Sequence, residues 1–257
     1  MTVATRIELI GLPGLPMVSP GDDLAGLLAR AFDRADLRPS AGDVLVVAQK
    51  IVSKAEDRFV DLATIRPSER ASRIAAEIGK DSRLVEVIIA ESVRIVRQRP
   101  GLLITEHRLG YVMANAGVDL SNVAPPDGRE RALLLPRDPD RSAEALRDRL
   151  SARFGCALGV IINDSFGRPW RRGTVGVALG AAGLPALVDL RGRPDLFGRA
   201  MQTSHVGLAD EIAAAASLVM GQAAEGLPAV LVRGLAWTGP PSPARTLVRP
   251  EQEDLFR

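Results

Sequence analysis

Apolar residues in this chain come in short blocks whose spacing switches between the strand and helix periods. Ile7-Glu8-Leu9-Ile10 alternates as a half-buried strand does, then runs into Gly11-Leu12-Pro13-Gly14-Leu15-Pro16, where glycines and prolines exclude regular helix and require a shaped loop. Pro20-Gly21-Asp22-Asp23 precedes Leu24, Leu27, Leu28, Ala31 and Phe32, a helical apolar face behind an acidic cap. Val44-Leu45-Val46-Val47-Ala48 is a continuous apolar strand. From about Ser68 to Gln98 the pattern predicts two helices, the second with Leu84, Val87, Ile88, Val93, Ile95 and Val96 as its apolar face. Leu102-Leu103-Ile104-Thr105 and Tyr111-Val112-Met113, joined by a turn from His107 to Gly110, predict an antiparallel pair.

Downstream, Pro125-Pro126-Asp127-Gly128 reads as a solvent loop, and about Ser142 to Phe154 as a helix leading into a strand that ends at Asn163. Val175–Leu179 and Ala186–Leu190 suggest further strands, Glu211–Met220 an alanine-rich helix and Ala229–Arg233 the last strand. Pro240, Pro241 and Pro243 then signal a tail rather than core. The order of elements lacks regular βαβ alternation, which predicts an α+β fold. The expected organisation is one module over residues 1–235, followed by a tail over 236–257.

Composition narrows the classes. With 257 residues and 46% hydrophobic content the chain can bury a large core. No apolar run approaches the roughly 20 residues of a membrane span, and Met1 to Arg6 lacks the apolar stretch of a secretory signal, so the expected location is the cytoplasm. A net charge of +2 with 4% aromatics gives little reason to expect nucleic acid. Nearly all cations are arginine; the only lysines are Lys50, Lys54 and Lys80. Cys156, beside Ala157 and Leu158, has no disulfide partner and reads as a small core residue.

Chemistry concentrates where Ile161-Ile162-Asn163 gives way to Asp164-Ser165-Phe166-Gly167-Arg168-Pro169-Trp170-Arg171. Short oxygen-bearing arms fixed by a buried strand suit a hard cation, and arginines suit an anion. Asp119 lies in a second oxygen cluster with Ser121 and Asn122; residues of this kind also cap turns, but together with Asp164 and Ser165 they fit Mg²⁺ or Mn²⁺ better than zinc. Gln49-Lys50-Ile51-Val52-Ser53-Lys54 follows a strand, and its two lysines project together only if the chain turns helical there. Neither a GxxxxGK[ST] loop nor a GxGxxG run after a strand is present, and there is no GxSxG elbow for a serine hydrolase. His107 reads as a lone surface histidine.

Six ordered motifs resemble the coenzyme F420-0:L-glutamate ligase family, the GTP-dependent γ-glutamyl ligases of deazaflavin coenzyme biosynthesis. They are Gly11 to Pro16, Pro20 to Leu24, Gln49 to Glu56, Ala116 to Val123, Asp164 to Arg171, and Ala209-Asp210-Glu211, within a match over about residues 6 to 235. The resemblance implies a two-lobed α+β fold with mixed and antiparallel sheets and flanking helices, and a homodimer. GTP would be a substrate alongside L-glutamate and F420-0, with Mg²⁺ or Mn²⁺ and K⁺ as cations. Carried over by position, Leu12, Pro13, Gly14 and Leu15 would form the nucleotide loop, and Gln49, Lys54 and Asn122 would also touch GTP. Asp119 and Asp164 would hold one metal, Ser165 would help hold a second, and Lys54 and Asp164 would be catalytic. The implied chemistry is attack of a substrate carboxylate on the γ-phosphate, then displacement of phosphate by the amine of glutamate. Two positions depart from the family pattern. Gly173-Thr174-Val175-Gly176 stands where the family carries Gly-Gln-Thr-Asp, and Ser204-His205-Val206 where it carries Thr-Glu-Val. His205 in place of a glutamate would hold a second metal more weakly or favour a softer ion. Alternatives are therefore a glutamate ligase for a different carboxylate, a GTP- and metal-binding relative without turnover, and a metal-dependent hydrolase.

Overall fold

A computed structural model describes residues 5–121, 123 and 128–255. The chain enters through β1 (Glu8–Gly11), crosses the Gly/Pro loop and forms α1 (Leu24–Arg34), then β2 (Val44–Ala48), which runs without a break into α2 (Gln49–Ala55). A smaller lobe follows: β3 (Phe59–Asp61), α3 (Glu69–Ile78), α4 (Ser82–Ala90), β4 (Ser92–Arg99), β5 (Leu102–His107), β6 (Val112–Ala114), and β7 (Arg131–Leu133), which pairs with β3. Next, α5 (Pro139–Phe154) leads to the long hairpin β8 (Gly159–Arg168) and β9 (Arg171–Ala182). The ribbon β10 (Val188–Asp189) with β11 (His205–Val206), helix α6 (Leu208–Met220) and β12 (Ala229–Arg233) complete the molecule. This is the mixed α+β architecture the sequence predicts.

The main sheet has the order β1-β12-β2-β8-β9; β2 and β8 are parallel and the other neighbours antiparallel. The stretches Val44–Val47, Gly159–Ile162 and Ala229–Val232 of its central strands are apolar throughout because both faces are covered there. Leu45, Val47, Val160 and Ile162 point towards α1 and α5, whereas Val44, Val46 and Ile161 point towards α6. The smaller lobe has its own core, with Ile74, Ile78, Val85, Ile88 and Leu103 at its centre. Side-chain caps start the helices: Asp23 accepts from the Gly26 amide, Ser68 from Ala71, and Asp138 from Arg141, with Pro139 pre-set at the first turn.

Four local expectations change. The second predicted helix stops at Ala90, and Val93, Ile95 and Val96 belong to β4, paired with β5. Their β-branched side chains suit a strand, and the Ser92 hydroxyl donates to the Ile88 carbonyl at the helix end. The strand expected to end at Asn163 continues to Arg168, because β9 pairs with it as far as Arg171. The proline-rich segment after Gly239 is packed on the molecule: the Ser242 amide donates to Leu184, and Ala244 is fully buried, its amide 2.7 Å from Asp140 Oδ1. His107 is buried in the smaller lobe rather than exposed. The Pro125-Pro126-Asp127 loop lies outside the described residues.

Candidate functional site

The β2–α2 junction sets the first edge of the site. Because α2 begins as soon as β2 ends, Lys50 and Lys54 fall one helical turn apart on one side. Gln49 is buried and its Oε1 accepts from the Ser53 hydroxyl at 2.9 Å, which locks the first turn. Lys54 is only 7% exposed, and burial, followed by the nearby Lys50 charge, lowers its pKa.

Asp119 forms the opposite edge. It follows a tight turn in which Ala116 and Gly117 both have positive φ, 52° and 66°. A Cβ on Gly117 would stand 2.8 Å from Leu135 side-chain atoms, so glycine is required there. The Asp119 backbone pairs both ways with Leu133, at 3.0 and 2.9 Å. Its Oδ2 lies 2.7 Å from Lys50 Nζ and its Oδ1 accepts from the Ser121 amide at 2.6 Å; Lys50 also donates to Ser121 Oγ at 2.8 Å. Burial works to raise the Asp119 pKa, but the Lys50 and Ser121 hydrogen bonds outweigh it and the net direction is down.

Asp164, on β8, completes the centre. Part of its surface meets solvent, yet it sits deep enough that desolvation, reinforced by the Asp119 charge, pushes its pKa up to about 6 against the pull of Lys50 and of the Ser165 amide. The structure therefore brings Lys50, Asp119 and Asp164 into one electrostatic unit. The next residue, Ser165, is exposed and donates to Gln222 Oε1 at 2.6 Å. In the Gly/Pro loop, Leu12 is buried with its amide on the Ala229 carbonyl, Pro13 and Gly14 are exposed, and Leu15 is partly buried. The Gly14 carbonyl accepts from Arg34 Nη2 at 2.6 Å. Asn122 lies outside the described residues.

The two departing positions are placed differently from Asp119 and Asp164. His205 pairs across the small ribbon with Asp189, its Nε2 3.6 Å from Asp189 Oδ1. Among the described residues no three His, Cys, Asp or Glu side chains converge as a metal-ligand set. Gly176 faces α6: a Cβ there would lie 2.2 Å from Ser217 Oγ, 2.4 Å from the Ala213 carbonyl and 2.7 Å from Asn163 Oδ1. No side chain fits at 176 as these elements are packed.

Two carboxylates, one of which is desolvated and held back from ionising by the other, fit a hard divalent cation beside a lysine. Mg²⁺ needs only one or two protein carboxylates when substrate phosphates supply further oxygens. The importance of Lys50 escaped the motif reading, which singled out Lys54, although the four-residue lysine spacing was its visible signal. A cavity of about 520 Å³ between α1, α2 and α5, lined by Val52, Ala55, Leu146 and Arg141, takes in none of Lys50, Lys54, Asp119 and Asp164.

The family model described as F420-0:Gamma-glutamyl ligase matches residues 14–234. A protein of Methanothermobacter thermautotrophicus named Coenzyme F420:L-glutamate ligase is 48% identical over 253 residues, covering 98% of this chain and 99% of its own length. Relatives with the same name from Methanopyrus kandleri and Archaeoglobus fulgidus are 50% and 45% identical, each covering 98% of this chain and 97% of their own.

Proposed function

As the chain belongs to the F420-0:γ-glutamyl ligase family, we propose that it joins L-glutamate to the carboxylate of F420-0 at the expense of GTP, through an acyl-phosphate intermediate. The observation that carries this reading is the Lys50–Asp119–Asp164 unit, with Lys50 Nζ 2.7 Å from Asp119 and Lys54 buried one turn along α2. Phosphoryl transfer is limited by charge on the phosphoryl oxygens and by alignment of the nucleophile, so it calls for fixed cations and hard-metal ligands rather than a protein nucleophile.

In this reading Lys54 is a largely desolvated ammonium facing the phosphates, where low local dielectric strengthens its field. Lys50 holds Asp119 in register, and the loop Leu12 to Leu15, with Gln49 and Asn122, borders the nucleotide. Asp119 and Asp164 would hold Mg²⁺ or Mn²⁺, with Ser165 at its margin; the metal supplies charge neutralisation on phosphate oxygens. His205, with Nε2 3.6 Å from Asp189, would be the weaker ligand of a second metal, and position 176 takes no part because it is closed by α6.

A homodimer belongs to the same proposal. Its support is a set of large apolar side chains left in solvent, including Trp170 at 79% exposure and Phe197 at 89%. A cytoplasmic location is proposed as well; no helix of the described residues is long and apolar enough to cross a membrane.

Mass spectrometry of the purified protein incubated with GTP, Mn²⁺, L-glutamate and F420-0 tests the activity, with phosphate release measured in a control lacking acceptor. A glutamate-sized gain on F420-0 is expected. No gain, with GTP still bound, would move the reading to another carboxylate acceptor or to a relative without turnover. Phosphate release in the control without glutamate transfer would point to a hydrolase.

A further inference from the structure

A buried ion cluster lies behind the site. Glu91, at the end of α4, places Oε2 3.2 Å from Arg58 Nη2, 3.3 Å from Arg108 Nε and 3.4 Å from His107 Nε2. The Arg58 and Glu91 side chains are 12% and 15% exposed and His107 is fully buried. His107 Nδ1 accepts from the Leu109 amide at 3.0 Å, which leaves Nε2 as the protonated nitrogen facing Glu91. Two arginines from two chain segments thus donate to one carboxylate oxygen, with His107 Nε2 facing it at 3.4 Å.

Arg58 reaches both edges of the site. Its amide donates to the Ser53 carbonyl at 2.9 Å, closing α2 one residue before Lys54. Its carbonyl accepts from the Leu134 amide at 3.0 Å and its Nε donates to the Leu135 carbonyl at 2.9 Å, directly after Leu133, which pairs with Asp119. One residue therefore joins the lysine helix, through its backbone, to the segment bridged to Asp119, through its backbone and Nε, while Glu91 fixes its guanidinium to the smaller lobe.

We infer that Arg58, anchored on Glu91, is a positioning residue that sets the gap between the α2 lysines and Asp119 and thereby governs the chemical step of the ligase. This rests on the function proposed above. The role demands arginine, because Nε and Nη2 engage different partners at fixed angles, whereas a lysine offers a single ammonium.

Arg58→Lys is compared with wild type and with Ile74→Val, which loosens the core of the same lobe without touching the cluster. The Arg58→Lys variant is expected to lose ~10²-fold in kcat with KM for GTP nearly unchanged, the signature of misplaced catalytic groups. Hydrogen exchange at the Asp119 and Leu133 amides should quicken in that variant and not in Ile74→Val. Should Arg58→Lys fail to fold, Glu91→Gln keeps every donor and reads out the same two quantities. Wild-type kcat together with unaltered exchange at those amides would overturn the inference, as would an equal loss of kcat in Ile74→Val. Absence of ligase activity in the wild type would defeat the functional reading alone, and the exchange arm would still decide whether Arg58 sets the gap.

Discussion

Asp119 and Asp164 are neighbours whose surroundings drive them in opposite directions. Lys50 and the Ser121 amide bond the ionised form of Asp119, while Asp164 is desolvated beside a charge of its own sign. A carboxyl whose folded pKa is raised takes up its proton more readily in the folded state. Its stabilising contribution is complete below the unfolded value near 3.8 and is lost as pH climbs through about 6. Asp164→Asn, which cannot ionise, should therefore gain stability relative to wild type between pH 4 and 6.5, by up to roughly 3 kcal/mol. Thermal melts of both proteins across that range check this; a constant difference would show that Asp164 titrates normally. The same variant should have no measurable glutamate addition while remaining folded, assayed by mass spectrometry and circular dichroism. Lys54→Ala should weaken GTP binding by about tenfold or more, the value of a hydrogen bond to a charged group, as measured by calorimetry.

At the scale of elements, the β8–β9 hairpin against α6 explains a position where this chain differs from the family pattern. Gly176 on β9 allows the Ala213 and Ser217 turn of α6 to approach, and a carboxylate there would collide with backbone as well as side chain. Gly176→Asp is expected to destabilise by about 3 kcal/mol or more, since the Ala213 carbonyl cannot rotate away as a side chain can. Urea unfolding measures it; an unchanged midpoint would mean that α6 shifts freely. The α4–β4 junction teaches a related lesson. Val93, Ile95 and Val96 extend a helical apolar spacing from Leu84, but pairing with β5 and the preference of branched side chains for extended backbone outweigh that spacing.

For the whole molecule, the site is a seam. Lys50, Lys54 and Asp164 belong to the main sheet and its α2 extension, Asp119 to the path through the smaller lobe, and the lobes have separate cores. Changes in lobe spacing should thus affect catalysis more than stability. Leu196 and Phe197, at 100% and 89% exposure on the long connection between β10 and β11, are better suited to a partner surface than to water. In the homodimer proposed above, replacing both with serine should lower the sedimentation coefficient to that of a monomer. An unaltered sedimentation coefficient would remove this segment from the interface.

Much of this was readable along the chain, because helices and strands are announced by short-range periodicity and by caps. The Leu24 to Phe32 face, the Val44 to Ala48 strand, the β5–β6 pair and the start of the apolar strand that leads to Asn163 all appear in the structure near their expected places. Asp119 and Asp164 stood out as short oxygen arms beside apolar runs, and the order of the motifs identified the family. What periodicity could not reach was decided by contacts between residues distant in sequence. The pairing of Lys50 with Asp119 spans two lobes, His107 is buried facing Glu91 from the end of α4, and Ala244 packs into the α6 core with its amide on Asp140. Such contacts leave no spacing signal, since each partner alone resembles an ordinary surface or tail residue. Only the closed fold reveals which charges are desolvated together and therefore which can do chemistry.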